Sequence, residues 1–270
     1  RIRRFWPLAG PLLAVVVLVA VACGSDDTSS SSPSDASEST VSSSTPGTTS
    51  DTAATDSAAE YQLPATGQTN CYDDSGDEIA CPQPGDAFYG EDANFTSGAA
   101  PSFQDNGDET ISDATTGLMW QQVPSPDGFT WQEAVDHVDD LELGGYDDWR
   151  LPSSKELFSI SDFGRSWPYL DTEYFTLASG EVSKDEQYWT SNYYVGATAE
   201  GGSDAAFGVN HVTGHIKAYP AVARGPAGGN FVRAVRGDEY GINDLADNGD
   251  GTITDDATGL MWAQEDEGVE

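Results

Sequence analysis

The 270 residues carry 46 Asp and Glu against 11 Lys and Arg, a formal net charge of -35, with only three cysteines and three histidines. No Lys or Arg falls between Arg4 and Arg150. Such a chain lacks the positive charge that faces phosphate or sulfate, which excludes nucleic acid and disfavours other polyanions such as sulfated glycans. Divalent cations, neutral sugars and basic proteins fit the acidity, and a plain solubility adaptation fits it equally.

Arg1, Arg3 and Arg4 precede an apolar run from Leu12 to Ala22. That run is far shorter than the roughly 20 residues a membrane span requires, so residues 1–22 read as a secretory signal. Ala20-Val21-Ala22-Cys23-Gly24 resembles a bacterial lipobox, which implies cleavage before Cys23 and lipid on that cysteine. Gly24, where an Asp would resemble an inner-membrane retention signal, favours the outer membrane. The expected setting is the bacterial cell envelope, with the membrane reached through the N-terminal lipid. Residues 23–60 are almost entirely Ser, Thr, Asp, Ala, Gly and Pro; they bury too little apolar area to offset their ordering entropy and predict a disordered tether. In an exported chain Cys71 and Cys81 predict a disulfide, worth about 2–3 kcal/mol by loop entropy.

Residues 61–104 form an irregular, Gly- and Asp-rich lead-in. Then comes a segment that the chain writes twice. Asp105-Asn-Gly-Asp-Glu-Thr-Ile-Ser-Asp-Ala-Thr-Thr-Gly-Leu-Met-Trp120 returns as Asp247-Asn-Gly-Asp-Gly-Thr-Ile-Thr-Asp-Asp-Ala-Thr-Gly-Leu-Met-Trp262. Both methionines of the chain, Met119 and Met261, stand at matching places. The offset is domain-sized, longer than any solenoid or propeller period. The expectation is one whole module over 105–237 and the start of a second over 238–270, in a sequence that is a fragment at both ends. Asn-Gly-Asp and Thr-Gly turns around Thr110-Ile-Ser112 and Leu118–Val123 predict a β-hairpin. Thr130 and Glu133 make a capping box ahead of an apolar stripe of Trp131, Ala134, Val135, Val138 and Leu141, a helix ended by Gly144-Gly145. Ser153 and Glu156 cap a second helix, with Leu157, Phe158 and Ile160 as its apolar face. Beyond it, 188–195, 205–209, 215–219 and 231–236 are β-patterned. Two helices and then strands make the fold class α+β, with a twisted antiparallel sheet.

These blocks, with Trp131-Gln-Glu-Ala134, Gly145-Tyr-Asp-Asp-Trp-Arg-Leu-Pro152, Tyr188-Trp-Thr-Ser191 and Phe231-Val-Arg-Ala-Val-Arg236, resemble the Lcl C-terminal domain family from about Asp105 to Arg236. Their order is also similar to C-type-lectin-like folds. The resemblance implies cysteines near positions 138 and 234, where this chain has Val138 and Ala234; their joint absence predicts that those two residues meet. It implies a surface-binding or adhesion role as well. The polyanion binding suggested for some relatives does not carry over to a chain this acidic.

Asp105, Asp108 and Asp113 offer oxygens to calcium, but Gly249 and Gly251 occupy the third and fifth places of an EF-hand counted from Asp247, and turn-making is the stronger expectation. Asp147 and Asp148 flank Trp149 and are candidate ligand-binding residues, as are the aromatics Trp167, Tyr169, Tyr193 and Tyr194. Trp149 and Leu151 suit the core, with Arg150 held by a carboxylate; Arg233 and Arg236 predict ion pairs. His211 and His215 straddle a turn with no third metal ligand in view. No nucleophile motif, zinc motif or phosphate loop occurs, so no catalytic residue is assigned and no cofactor is required beyond the calcium alternative. The functional expectation is an envelope lipoprotein with tandem binding modules, for neutral glycan or a matrix protein. A structural spacer is the alternative, and an enzyme of lectin-like fold has least support.

Overall fold

The computed structural model describes residues 61–95, 98–196, 204–223 and 230–266. All of them belong to one compact unit, Thr55–Glu270. The signal, Cys23 and the tether lie outside the described residues, as do the last four positions of the second copy. No helix among the described residues is long and apolar enough to cross a membrane.

The lead-in folds around the Cys71–Cys81 disulfide, whose Cα atoms are 5.1 Å apart. It carries the paired strands β1 (Cys71–Tyr72) and β2 (Glu78–Ile79). The first repeat copy makes three strands rather than two: β3 (Phe103–Asp105), β4 (Thr110–Asp113) and β5 (Met119–Gln121). Helix α1 (Trp131–Asp139) begins at the expected capping box, with Glu133 N–H donating to Thr130 Oγ1 and the Glu133 carboxylate accepting from Thr130 N–H. It ends at Asp140, short of the glycine pair. Gly144 and Gly145, at φ 61° and 81°, instead reverse the chain between Leu143 and Tyr146, which exchange backbone hydrogen bonds. Helix α2 (Ser154–Ser159) has the second capping box, from Ser153 and Glu156.

The remaining strands are β6 (Gln187–Tyr194), β7 (Ala205–Asn210), β8 (His215–Pro220), β9 (Asn230–Phe231) and β10 (Val235–Arg236). The single antiparallel sheet expected from the sequence is divided. One sheet has the order β8-β7-β6-β9, with β9 parallel to β6; the other runs β10-β5-β4-β3. The predicted strand 231–236 is therefore broken, because it crosses from one sheet to the other. Along the way it stays bonded to the end of β5 and the segment after it: Gln121 N–H donates to Ala234 O, and Ser125 N–H donates to Val232 O. The architecture is α+β and mostly sheet.

Two apolar clusters fill the interior. Ile111, Leu118, Trp120, Leu157, Ile160, Phe175, Tyr188 and Val235 form one. Ala134, Val138, Trp149, Leu151, Trp189, Val232 and Ala234 form the other. Val138 and Ala234, which stand where the resemblance implies cysteines, are both buried in this second cluster. Each large side chain here removes enough apolar surface from water to contribute about 2–3 kcal/mol.

Arg233 departs from expectation. Its guanidinium is fully buried and donates to the carbonyls of Gln121, Gln122 and Thr176 at 2.9, 2.7 and 2.6 Å rather than to a carboxylate. It lies over the rings of Phe175 and Tyr188 at 5.1 and 5.3 Å. Burial lowers its pKa, opposed by Tyr188 and Glu186. The cation staples the crossing strand to β5 and to the loop before β6. Arg236 does make an ion pair, at 2.7 Å with Asp148.

The second copy is ordered from Leu245 to Ala263. It forms β11 (Leu245–Asp247), β12 (Thr252–Asp255) and β13 (Leu260–Ala263), a three-stranded antiparallel sheet. Its Leu260, Met261 and Trp262 are exposed, Met261 64% and Trp262 55% accessible, whereas Trp120 is fully buried.

Candidate functional site

The carboxylates of the repeated segment are occupied with the turn. Asp105 accepts from Gly107 N–H at 2.8 Å, Asp108 from the Thr110 N–H and hydroxyl, and Asp113 from Thr115 N–H and the Thr116 hydroxyl. Asp247, Asp250 and Asp255 repeat the pattern. Among the described residues, no three His, Cys, Asp or Glu side chains are grouped to hold a metal ion. Hydrogen bonds to the local chain give Asp105, Asp108 and Asp113 the turn-making role.

The other candidates part company. Asp147 is exposed, and Asp148 is bound to Arg236, which holds its carboxyl below the usual range. Trp167 is 56% exposed in the loop between Ser161 and Leu170, and Tyr169 packs on Phe163 in that loop. Tyr194 meets Phe207 edge-on at 5.5 Å. Tyr193 alone of these is brought to a built concave surface. A break in register explains its outward turn: between Trp189 and Tyr193, four residues of β6 advance against two of β7. Bulged strands twist and re-aim their side chains, and here the buried half of β6 ends at Thr190.

That surface is a trough assembled from α1, the start of α2, the outer half of β6 and the segment after β10. Trp131 opens α1 and donates its indole N–H to Thr190 O at 2.9 Å, fixing the helix to β6. Its ring meets Tyr193 edge-on, with centroids 5.1 Å apart. The N-terminus of α2 is pinned to the same strand: Ser154 N–H donates to Asn192 Oδ1 at 2.6 Å, and Ser191 N–H to Pro152 O at 2.8 Å. On one side of the aromatic pair lies a cleft of about 390 Å³ with Trp131, Asp139, Arg150, Ser153, Ser191 and Glu239 in its walls. On the other lies one of about 570 Å³, with Ser154, Lys155, Asn192, Tyr193, Ile216 and Asn243. Ser153 and Glu239 line both, so the two clefts adjoin and together make up the trough.

The floor is rigid. Arg150 donates to both oxygens of the buried Glu156, at 2.8 and 2.7 Å, and Glu156 also accepts from the N–H groups of Ser153 and Tyr240. Burial pushes the Glu156 carboxyl up, but Arg150 and the two amides outweigh it, and the pKa is lowered. Both oxygens are engaged, so Glu156 is unsuited to acid–base chemistry. Lys155 Nζ is similarly held, by Gly241 O at 2.6 Å and by Asn243 Oδ1. His211 is buried, whereas His215 binds Thr213 Oγ1 and Tyr219 Oη near the surface.

Sequence reasoning missed Trp131 and Glu239 as site residues. Trp131 falls on the apolar stripe of α1 and counts as core by periodicity, and Glu239 reaches the trough only because the chain turns back after β10.

Residues 109–236 match the model of the Lcl C-terminal domain. Over those residues the chain is similar to that domain. Within the matched stretch lie both helices, strands β6 to β10 and all of the trough except the segment from Glu239 to Asn243. No curated protein matches the chain.

Proposed function

We propose that this is a lipid-anchored protein of the bacterial cell envelope whose Lcl domain binds a neutral glycan in the trough around Trp131 and Tyr193. The edge-on aromatic pair carries the reading. It stands between hydroxyl, amide and carboxylate groups of mixed donor and acceptor character. Aromatic rings offer apolar faces to sugar C–H groups, while the flanking polar atoms match hydroxyls. The two cations present, Arg150 and Lys155, are already bound internally, so the trough has little free positive charge to offer a sulfated chain. Cys23, the tether and outer-membrane residence belong to the same proposal on the strength of the lipobox-like segment. Nothing in the trough combines a free nucleophile with a base, so the proposal is of binding without catalysis.

The test is retention of the full chain on arrays of neutral and sulfated oligosaccharides and of matrix proteins. Saturable binding to a neutral set, reduced at least tenfold by Tyr193→Ala with the melting temperature kept, is expected. Retention by sulfated glycans alone, or binding indifferent to Tyr193, refutes the glycan reading. Metabolic labelling with a fatty acid, lost in Cys23→Ser, tests the anchor. The alternative of a structural spacer is favoured by the independently formed second hairpin, and predicts no saturable ligand on any array.

A further inference from the structure

Asparagine followed by glycine is the pair most prone to deamidation in water. The glycine nitrogen, unhindered by a side chain, loses its proton and attacks the asparagine Cγ. The new N–Cγ bond closes a succinimide, the side-chain nitrogen leaves as ammonia, and water opens the ring to aspartate or isoaspartate. This chain has two Asn-Gly pairs, Asn106-Gly107 and Asn248-Gly249, one in each copy of the repeated segment. All four residues are exposed, so water is at hand. The turn needs both members of the pair. Gly107 and Gly249 stand at φ 77° and 72°, in the left-handed region. The asparagine ties the turn to the following strand: Asn106 Nδ2 donates to Thr110 Oγ1 and Ser112 Oγ at 2.9 and 3.0 Å, and Asn248 Nδ2 to Thr252 and Thr254 Oγ1 at 2.9 Å each.

We infer that both pairs are deamidation sites held shut by the fold, and that Asp105 and Asp247 are the residues that shut them. The attacking atom is the first to be restrained. Gly107 N–H donates to Asp105 Oδ1 at 2.8 Å, and Gly249 N–H to Asp247 Oδ1 at 2.8 Å. A carboxylate on that hydrogen opposes its loss twice: a charge-assisted bond must break, and the amide anion must form beside a like charge. The electrophile is restrained as well. Both Nδ2 hydrogens are engaged, and the asparagine Oδ1 accepts from the Ser112 hydroxyl in one copy and the Thr254 hydroxyl in the other, at 3.2 Å each. Cγ is thereby tied to β4 or β12 instead of being free to swing onto the glycine nitrogen. The backbone on the near side is fixed too, since Asn106 N–H donates to Thr110 O and Asn248 N–H to Thr252 O at 3.1 Å. The same contacts recur in both copies, so the protection is local to the segment. What it prevents is severe for a hairpin: isoaspartate adds a backbone atom to the turn and shifts the register of the strands it joins. This inference does not depend on the glycan reading.

The experiment holds the full chain at neutral pH for days and follows the peptides containing Asn106 and Asn248 by liquid chromatography and mass spectrometry, which resolve aspartate and isoaspartate products. The same chain unfolded in urea gives the unprotected rate. Conversion at least tenfold slower in the folded chain is expected at both sites. Asp247→Ala should raise the rate at Asn248 at least tenfold and leave Asn106 unchanged, so each chain carries its own control. Asp105→Ala should do the reverse. Asp247→Asn, which keeps an acceptor for Gly249 N–H without the charge, should fall between the parent and Asp247→Ala. Equal rates in the folded and unfolded chains overturn the inference, as does an Asn248 rate indifferent to Asp247→Ala. Equal acceleration of both sites by Asp247→Ala also overturns it, because the protection would then belong to the fold as a whole and not to the aspartate.

Discussion

His211 makes the stability of this protein depend on pH in a way that can be isolated. The ring is fully buried at the turn between β7 and β8, with Nδ1 3.3 Å from Ser161 Oγ and the Tyr188 ring 5.4 Å away. Its Nε2 has no hydrogen-bond partner among the described residues. Burial, reinforced by the Arg233 cation, lowers its pKa from 6.5 to about 3. The folded state therefore keeps the ring neutral where the unfolded chain takes up a proton. Because the folded pKa is depressed, stability is full above 6.5 and falls as pH drops from there toward 3. Between about pH 7 and pH 5 the unfolded state gains roughly 1.5 protonation decades over the folded state, a loss of about 2 kcal/mol from this residue alone. Urea unfolding at closely spaced pH values, on the parent and on His211→Gln, measures it. Other groups, including His137 and His215, titrate in both proteins and cancel in the difference. The expected result is a gap between the two stability curves that changes by about 2 kcal/mol over that interval, with the parent falling faster as the solution is acidified. Parallel curves would refute the argument, because they would mean that His211 gains its proton as readily in the fold as out of it.

Three further outcomes follow from the packing. Trp120→Ala should cost about 3–5 kcal/mol, while Trp262→Ala, the same residue of the repeated segment, should stay within about 0.5 kcal/mol; denaturant midpoints compare them directly. Glu156→Gln should cost about 3 kcal/mol, since it strips Arg150 of its partner and weakens the cap of α2 together. Thermal melts are the assay, and a loss no larger than a surface substitution would show that the pair is dispensable. Val138→Cys with Ala234→Cys should oxidise to a second disulfide, visible by mass spectrometry under non-reducing conditions, and raise stability by about 4 kcal/mol for so long a loop.

Much of the local structure is legible in the chain. Both capping boxes are, because a hydroxyl and a carboxylate three residues apart satisfy orphan amides within a single turn and need no tertiary help. The disulfide is too, from two cysteines ten residues apart. Less legible is anything decided by distant segments. Arg233 looks like an ion-pairing residue in an acidic chain, yet its partners are three carbonyls supplied by the end of β5 and the loop before β6. The break between β9 and β10 has the same origin, since 231–236 is β-patterned throughout and only the separation of two sheets interrupts it. The trough depends on a register break in β6 and on the return of Glu239, and neither leaves a mark in composition or period.

The repeated segment separates these two kinds of information within one molecule. Its turns and registers, and the hydrogen bonds of Asn106 and Asn248, are alike in both copies, so they are set by the repeated residues themselves. The burial of Leu118 and Trp120 is not reproduced by Leu260 and Trp262, so it belongs to the module around them. The aspartates that suggest a cation site serve the first kind of information: they close turns that form whether or not a core is present. The leucine and tryptophan serve the second. In the first copy their apolar face is covered by the core, and β10 completes the sheet by pairing with β5 after more than a hundred intervening residues.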